Sequence, residues 1–145
     1  MLRERLGRAP TTNRAETDPR SDDRRLVGRT YAIPFDQVWT ACLHLVERRR
    51  RWTLLEANDV EGYVKVECQS LFFKFIDDLE IRIGLDEHAM TRVDVKSTSR
   101  KGKADLGTNA RRIGRLLRRL DRKLGADNGA ILDPTDLETW SAEAG

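Results

Sequence analysis

Between residues 52 and 99 apolar side chains fall on alternate positions in four runs, and no other feature restricts the fold of this chain as strongly. The runs are residues 52–57, 62–69, 72–84 and 91–99. Successive side chains of a strand point to opposite faces. Val64, Val66 and Cys68 therefore share one side, as do Phe73, Phe75, Leu79, Ile81 and Ile83, and after them Val93 and Val95. Connections this short join antiparallel neighbours. A sheet that is apolar on one side only requires a cover on that side.

Two helical patterns supply the cover. After a short strand at residues 28–33, Pro34 suits the first turn of a helix. Phe35, Val38, Trp39, Cys42, Leu45 and Val46 then recur at 3.6-residue spacing and lead into the run Arg48, Arg49, Arg50 and Arg51. Positive charge there complements a helix C-terminus and offers a second use in anion binding. Further on, Asp105 is placed to cap a helix whose buried stripe is Leu106, Ala110, Ile113, Leu117, Leu120 and Leu124, with Gly125 as its stop. The opposite face carries Arg111, Arg112, Arg115, Arg118, Arg119, Arg122 and Lys123 against Asp121 alone, a candidate anion-binding surface. The order β-α-β-β-β-β-α predicts an α+β fold with a curved antiparallel sheet packed on a long C-terminal helix. In element order it resembles the TATA-binding-protein-like and helix-grip folds.

The 145 residues suit one core rather than two. Three segments are expected. Residues 1–26 are rich in Arg, Asp, Thr and Pro without either period, and read as a disordered basic leader. Residues 27–125 form the α+β domain. Residues 126–145 form an acidic tail, with a short helix starting near Asp133, Pro134 and Asp136 and positioned to fold back on the basic helix. Charged residues make up 35% of the chain and mean hydropathy is -0.62, with no run long enough to span a membrane. No secretory signal is evident, so a cytoplasmic location is expected. Cys42 and Cys68 both fall on apolar faces and read as free core thiols.

Charge sets the register of the hairpin formed by the last two runs, because opposite cross-strand partners attract. Pairing Gly84 with Arg92 sets Arg82 against Asp94 and Glu80 against Lys96. A shift by two residues opposes like charges. The favoured register places Ile83 opposite Val93, Ile81 opposite Val95, Leu79 opposite Ser97 and Asp77 opposite Ser99, all facing the core. A carboxylate buried at Asp77 must find donors or a cation. Ser97, Ser99, Arg100 and Asn109 are the candidates, and Asp78 points to the solvated face.

The stretch that supplies these candidates, Ser97-Thr98-Ser99-Arg100-Lys101-Gly102-Lys103-Ala104-Asp105-Leu106-Gly107-Thr108-Asn109-Ala110-Arg111-Arg112-Ile113, resembles the signature S-x-S-R-x-G-x-x-D-x-G-x-N-x-x-R-I of the domain of unknown function 1499 family. The Asp77-Asp78 doublet and the helix beginning near Pro34 with Val38-Trp39 resemble it too. The likeness covers residues 30–124, leaving the leader and tail outside. It implies a bacterial and plastid family with no activity to carry over. Physically the signature is a joint between last strand and last helix: Gly102 turns, Asp105 caps, Gly107 allows close approach, and Asn109 projects toward Asp77. Asp77, Ser97, Ser99, Arg100, Asp105 and Asn109 therefore form the candidate polar cluster, either a structural clamp or a binding site.

His44 and His88 are placed away from both cysteines and from Ser97 and Ser99, so no nucleophile and base pair is expected. No zinc spacing, phosphate loop or dinucleotide fingerprint is present, and neither metal nor cofactor is expected. The expected function is a non-enzymatic module holding a small, partly apolar ligand between sheet and long helix. Two alternatives stand beside it: an interaction module binding polyanions weakly through the arginine-rich helix, and an enzyme using Asp77 with Arg100.

Overall fold

The computed structural model describes residues 13–70, 75–100, 107–126 and 129–133. Four strands correspond to the alternating runs: β3 (Trp52–Asn58), β4 (Tyr63–Gln69), β5 (Ile76–Leu85) and β6 (Thr91–Ser99). Ahead of them stand β1 (Arg14–Glu16), a 3-10 turn at Arg24–Leu26, β2 (Arg29–Tyr31) and helix α1 (Phe35–Glu47). Helix α2 (Thr108–Leu124) and β7 (Ile131–Leu132) follow β6. The strands form one open, curved antiparallel sheet in the order β3-β4-β5-β6-β2-β7, with β1 also pairing to β6, so the fold is α+β.

The β5–β6 hairpin has the register that charge dictates: Arg82 faces Asp94, Glu80 faces Lys96, and Asp77 faces Ser99. Alternation puts Leu79, Ile81, Ile83, Val93 and Val95 in the core with Val64 and Val66 of β4. Both helices cover that side, α1 through Val38, Cys42 and Val46 and α2 through Ile113, Leu116, Leu117 and Leu120. Gly125 ends α2 in the left-handed conformation, whereas Pro34 sits at the N-cap of α1, one position before its first turn. Both cysteines are free and buried.

Three expectations are corrected. Residues 13–26 are not a disordered leader, because Arg14, Ala15 and Glu16 pair with Thr98, Ser97 and Lys96. The Thr17 amide donates to the Val95 carbonyl at 2.9 Å, and the Thr17 hydroxyl accepts from the Val95 amide and donates to Asp94 at 2.8 Å. These anchors are backbone and polar groups, which is why no apolar period marks the segment. Arg25 then packs against α2, where its Cγ would lie 3.2 Å from a Cβ added at Gly114. The tail, in turn, begins by adding a strand: Leu132 and Ile131 pair with Thr30 and Tyr31 at the sheet edge. The short helix expected near Pro134 lies outside the described residues. Phe75, finally, is 38% exposed, because β5 starts one residue after it; Phe73 lies outside the described residues.

Candidate functional site

Asp77 sits on the inner face of β5 and is buried, as the register requires. Its partner is Arg112, whose Nη2 lies 2.7 Å from Oδ2, with the two side chains only 15% and 11% exposed. Arg112 also donates from Nη1 to the Asn109 Oδ1 at 2.9 Å and to the Ser97 hydroxyl at 3.1 Å. Ser97 donates to the same Asn109 oxygen at 2.6 Å. The Asn109 amide nitrogen donates at 3.0 Å to the Ser99 hydroxyl and at 3.0 Å to the backbone carbonyl of Asn13. Both ends of the Asn109 side chain are thus engaged, as a fully buried amide requires. The network ties β5, β6, α2 and the residue preceding β1 together.

The sequence-based site is therefore redistributed. Asp77, Ser97, Ser99 and Asn109 do meet. Arg100 does not join them: it reaches across the solvated face to Asp78 at 2.9 Å and Glu67 at 2.6 Å. Glu67 and Asp78 are direct cross-strand partners of like charge, and Arg100 bridges them, offsetting their repulsion. Its hydrogen bonds hold the Asp78 carboxyl below the usual carboxylate range, against the opposing effect of burial. Asp105 lies outside the described residues, and α2 opens at Gly107, whose φ of 84° is the left-handed conformation that favours glycine. Arg112, assigned by sequence to the exposed basic face, turns inward instead. Asn13, outside every sequence-based candidate set, contributes a carbonyl.

The remaining cations of α2, Arg111, Arg115, Arg118, Arg119, Arg122 and Lys123, are exposed. The one carboxylate of that helix is unavailable to them. Asp121 accepts from the Tyr31 hydroxyl at 2.5 Å and from Arg29 Nε at 3.0 Å, beneath the sheet edge. Burial first, and then the Asp121 carboxylate, raise the Tyr31 phenol far above its ordinary value.

Where α2 begins, its basic side meets the chain leaving α1. Arg49 and Arg51 from that exit and Arg111, Arg112 and Arg115 from α2 line one cleft of about 280 Å³. Gln69, Ser70 and Thr108 add polar groups to its wall, and no carboxylate is among the described lining residues. Arg51 has a φ of 63°, unusual for a residue with a side chain, and its carbonyl accepts from the Gln69 amide at 2.8 Å. The Arg49 guanidinium lies 4.7 Å from the Trp52 ring centroid, yet its Nε is buried without a hydrogen-bond partner among the described residues. Burial first, and then the neighbouring guanidinium of Arg119, followed by those of Arg115 and Arg112, push the Arg49 pKa below its ordinary value.

Nucleophilic chemistry finds little here. Burial pushes the Cys42 and Cys68 thiols up to about 12, which keeps them protonated and inert. Among the described residues no group of three or more His, Cys, Asp or Glu is placed to hold a metal ion. None of the described helices is long and apolar enough to cross a membrane.

A family model described as protein of unknown function (DUF1499) matches residues 4–120. The chain belongs to that family. The match takes in β1 and the 3-10 turn, so the N-terminal segment lies within the family region rather than outside it. Curated proteins contain no match to the chain.

Proposed function

We propose that this chain is a non-enzymatic binding module whose recognition surface is the arginine-rich side of α2, joined by the chain leaving α1, and whose partners are anionic. The observation that carries the reading is the convergence of Arg49, Arg51, Arg111, Arg112 and Arg115 on one cleft with no carboxylate among its described lining residues. Charge of one sign held in a concave surface attracts ligands of the other sign. A small apolar ligand between sheet and α2 has less support, because Leu79, Ile81, Ile113 and Leu117 fill that space. Catalysis by Asp77 has less support as well, since the carboxylate is engaged by Arg112 and Arg100 lies on the other face of the sheet. The free, buried state of both thiols favours a reducing compartment such as the cytoplasm.

Heparin retention tests the reading. The protein should bind at low salt and elute as salt rises, and Arg111→Gln with Arg115→Gln should lower the eluting salt concentration. Retention that both substitutions leave unchanged refutes it.

A further inference from the structure

The cleft differs from the rest of the basic surface in one respect, its depth. Arg118, Arg122 and Lys123 are exposed to solvent on the outer side of α2. Arg49 is partly withdrawn from water, with a buried Nε that no described group satisfies. A buried polar donor left without a partner costs free energy, and bringing guanidinium groups together adds repulsion. The flat exterior of a polymer spans the mouth of a cleft, whereas a small ion enters it and meets the guanidinium groups on its wall.

Size narrows the class. Pockets for drug-sized ligands begin at about 300 Å³, so a cleft of about 280 Å³ suits something smaller. A water occupies about 30 Å³ of liquid, which leaves room for one polyatomic ion and a partial hydration shell. Guanidinium groups approaching from two directions, from the α1 exit and from α2, match a tetrahedral oxyanion better than a flat carboxylate, since arginine forks each take two of its oxygens. Hydroxyl donors stand at the wall in Ser70 and Thr108, the latter already 3.4 Å from Arg111 Nη2.

We infer that this cleft is a binding site for a single phosphoryl or sulfuryl oxyanion, held by Arg49, Arg111 and Arg115, with Arg112 at its floor anchored by Asp77. The inference rests on the anionic-partner reading and specifies one site within it. Arg112 is a positioning residue, its guanidinium fixed from behind by Asp77 and Asn109. Arg49 brings a guanidinium from the α1 exit to face those of α2. Burial, and after it the neighbouring guanidinium groups of Arg119, Arg115 and Arg112, lowers the Arg49 pKa, and a dianion entering the cleft relieves that repulsion.

Thermal unfolding of the full chain measures the effect, with sodium phosphate, sodium sulfate and glycerol phosphate each compared with sodium chloride at equal ionic strength. At ten times its Kd the oxyanion should raise Tm by roughly 4 °C over chloride. A rise with phosphate and glycerol phosphate alike assigns the phosphoryl group itself as ligand; a rise with phosphate alone confines the site to the free ion. Arg49→Met keeps the apolar stem over Trp52 and removes the unsatisfied donor. It should raise Tm in phosphate-free buffer and abolish the oxyanion-specific rise. Arg115→Gln, at an exposed position, should fold normally and reduce that rise several-fold. An oxyanion effect no larger than that of chloride, or one that survives both substitutions, overturns the inference. Heparin retention separates the two readings: if it persists with its salt dependence while phosphate gives no specific rise, the discrete site is wrong and the basic surface stands. Loss of both removes the two together.

Discussion

At the residue scale the informative pair is Asp77 and Arg112. Removing one partner of a buried ion pair strands the other, so Asp77→Ala or Arg112→Ala should cost on the order of 3 to 5 kcal/mol. The double mutant should lose much less than the two single losses added, and a thermodynamic cycle in denaturant should return coupling of about 1 to 3 kcal/mol. The same cycle between Asp77 and Arg100 should return none. Asp78 carries an acid-sensitive contribution. Its carboxyl is held below the ordinary 3.8 by Arg100, so the unfolded chain takes up the proton first as pH falls. The stabilisation is therefore complete above that value and vanishes as pH drops through the lowered folded pKa. The Tm deficit of Arg100→Ala should be present at neutral pH and shrink as pH falls through the lowered carboxyl pKa; a deficit constant with pH would place its cause elsewhere. Both assignments are partly legible in sequence. Arg100 follows Ser99 and precedes no strand neighbour on the inner face, so alternation alone sends it to the side of Asp78. Arg112 stands three positions after Asn109 and beside Ile113, at the border of the buried stripe, and composition alone hides that border among seven cations.

At the scale of elements, legibility follows the source of stability. Runs held by apolar burial, β4, β6 and both helices, reveal themselves by period, and the β5–β6 register by opposite charges. β1 and β7 are three and two residues long and are held by backbone pairing to edges already present, a pattern that leaves almost no trace in residue type. The arginine cleft is equally hidden, since it exists only where the end of α1 and the start of α2 meet. Beginning the chain at Val27 would delete β1, the Thr17 anchors, the Asn13 carbonyl that Asn109 uses, and the 3-10 turn beside α2. With several hydrogen bonds lost at roughly 1 kcal/mol each, Tm should fall by roughly 10 °C or more. Equal melting of the shortened and full chains, followed by circular dichroism, would show that β1 contributes nothing.

On the scale of the whole molecule, the sheet divides its two faces between different tasks. One face carries the core and the Asp77 network; the other is a lattice of alternating charges crossed by Arg100. Strand β6 is the hinge of this arrangement, because one edge belongs to β5 while the other is shared end to end by β1 and β2. The two N-terminal strands accordingly have no sheet partner until nearly the last of the sheet has been made. Thr17 and Asp94, which hydrogen-bond in the finished protein, are separated by 77 positions in the chain. On the ribosome, where synthesis runs toward the C-terminus at roughly 5 to 20 residues each second, β1 waits for several seconds after it is made before its place in the sheet exists. From the pairing of β6 with β5 until β1 and β2 return to it, β6 presents an open edge of the kind that recruits foreign strands. The N-terminal segment thus acts as the molecule's own closing piece, and the moment of its return decides how long the nascent protein is exposed to association with its neighbours.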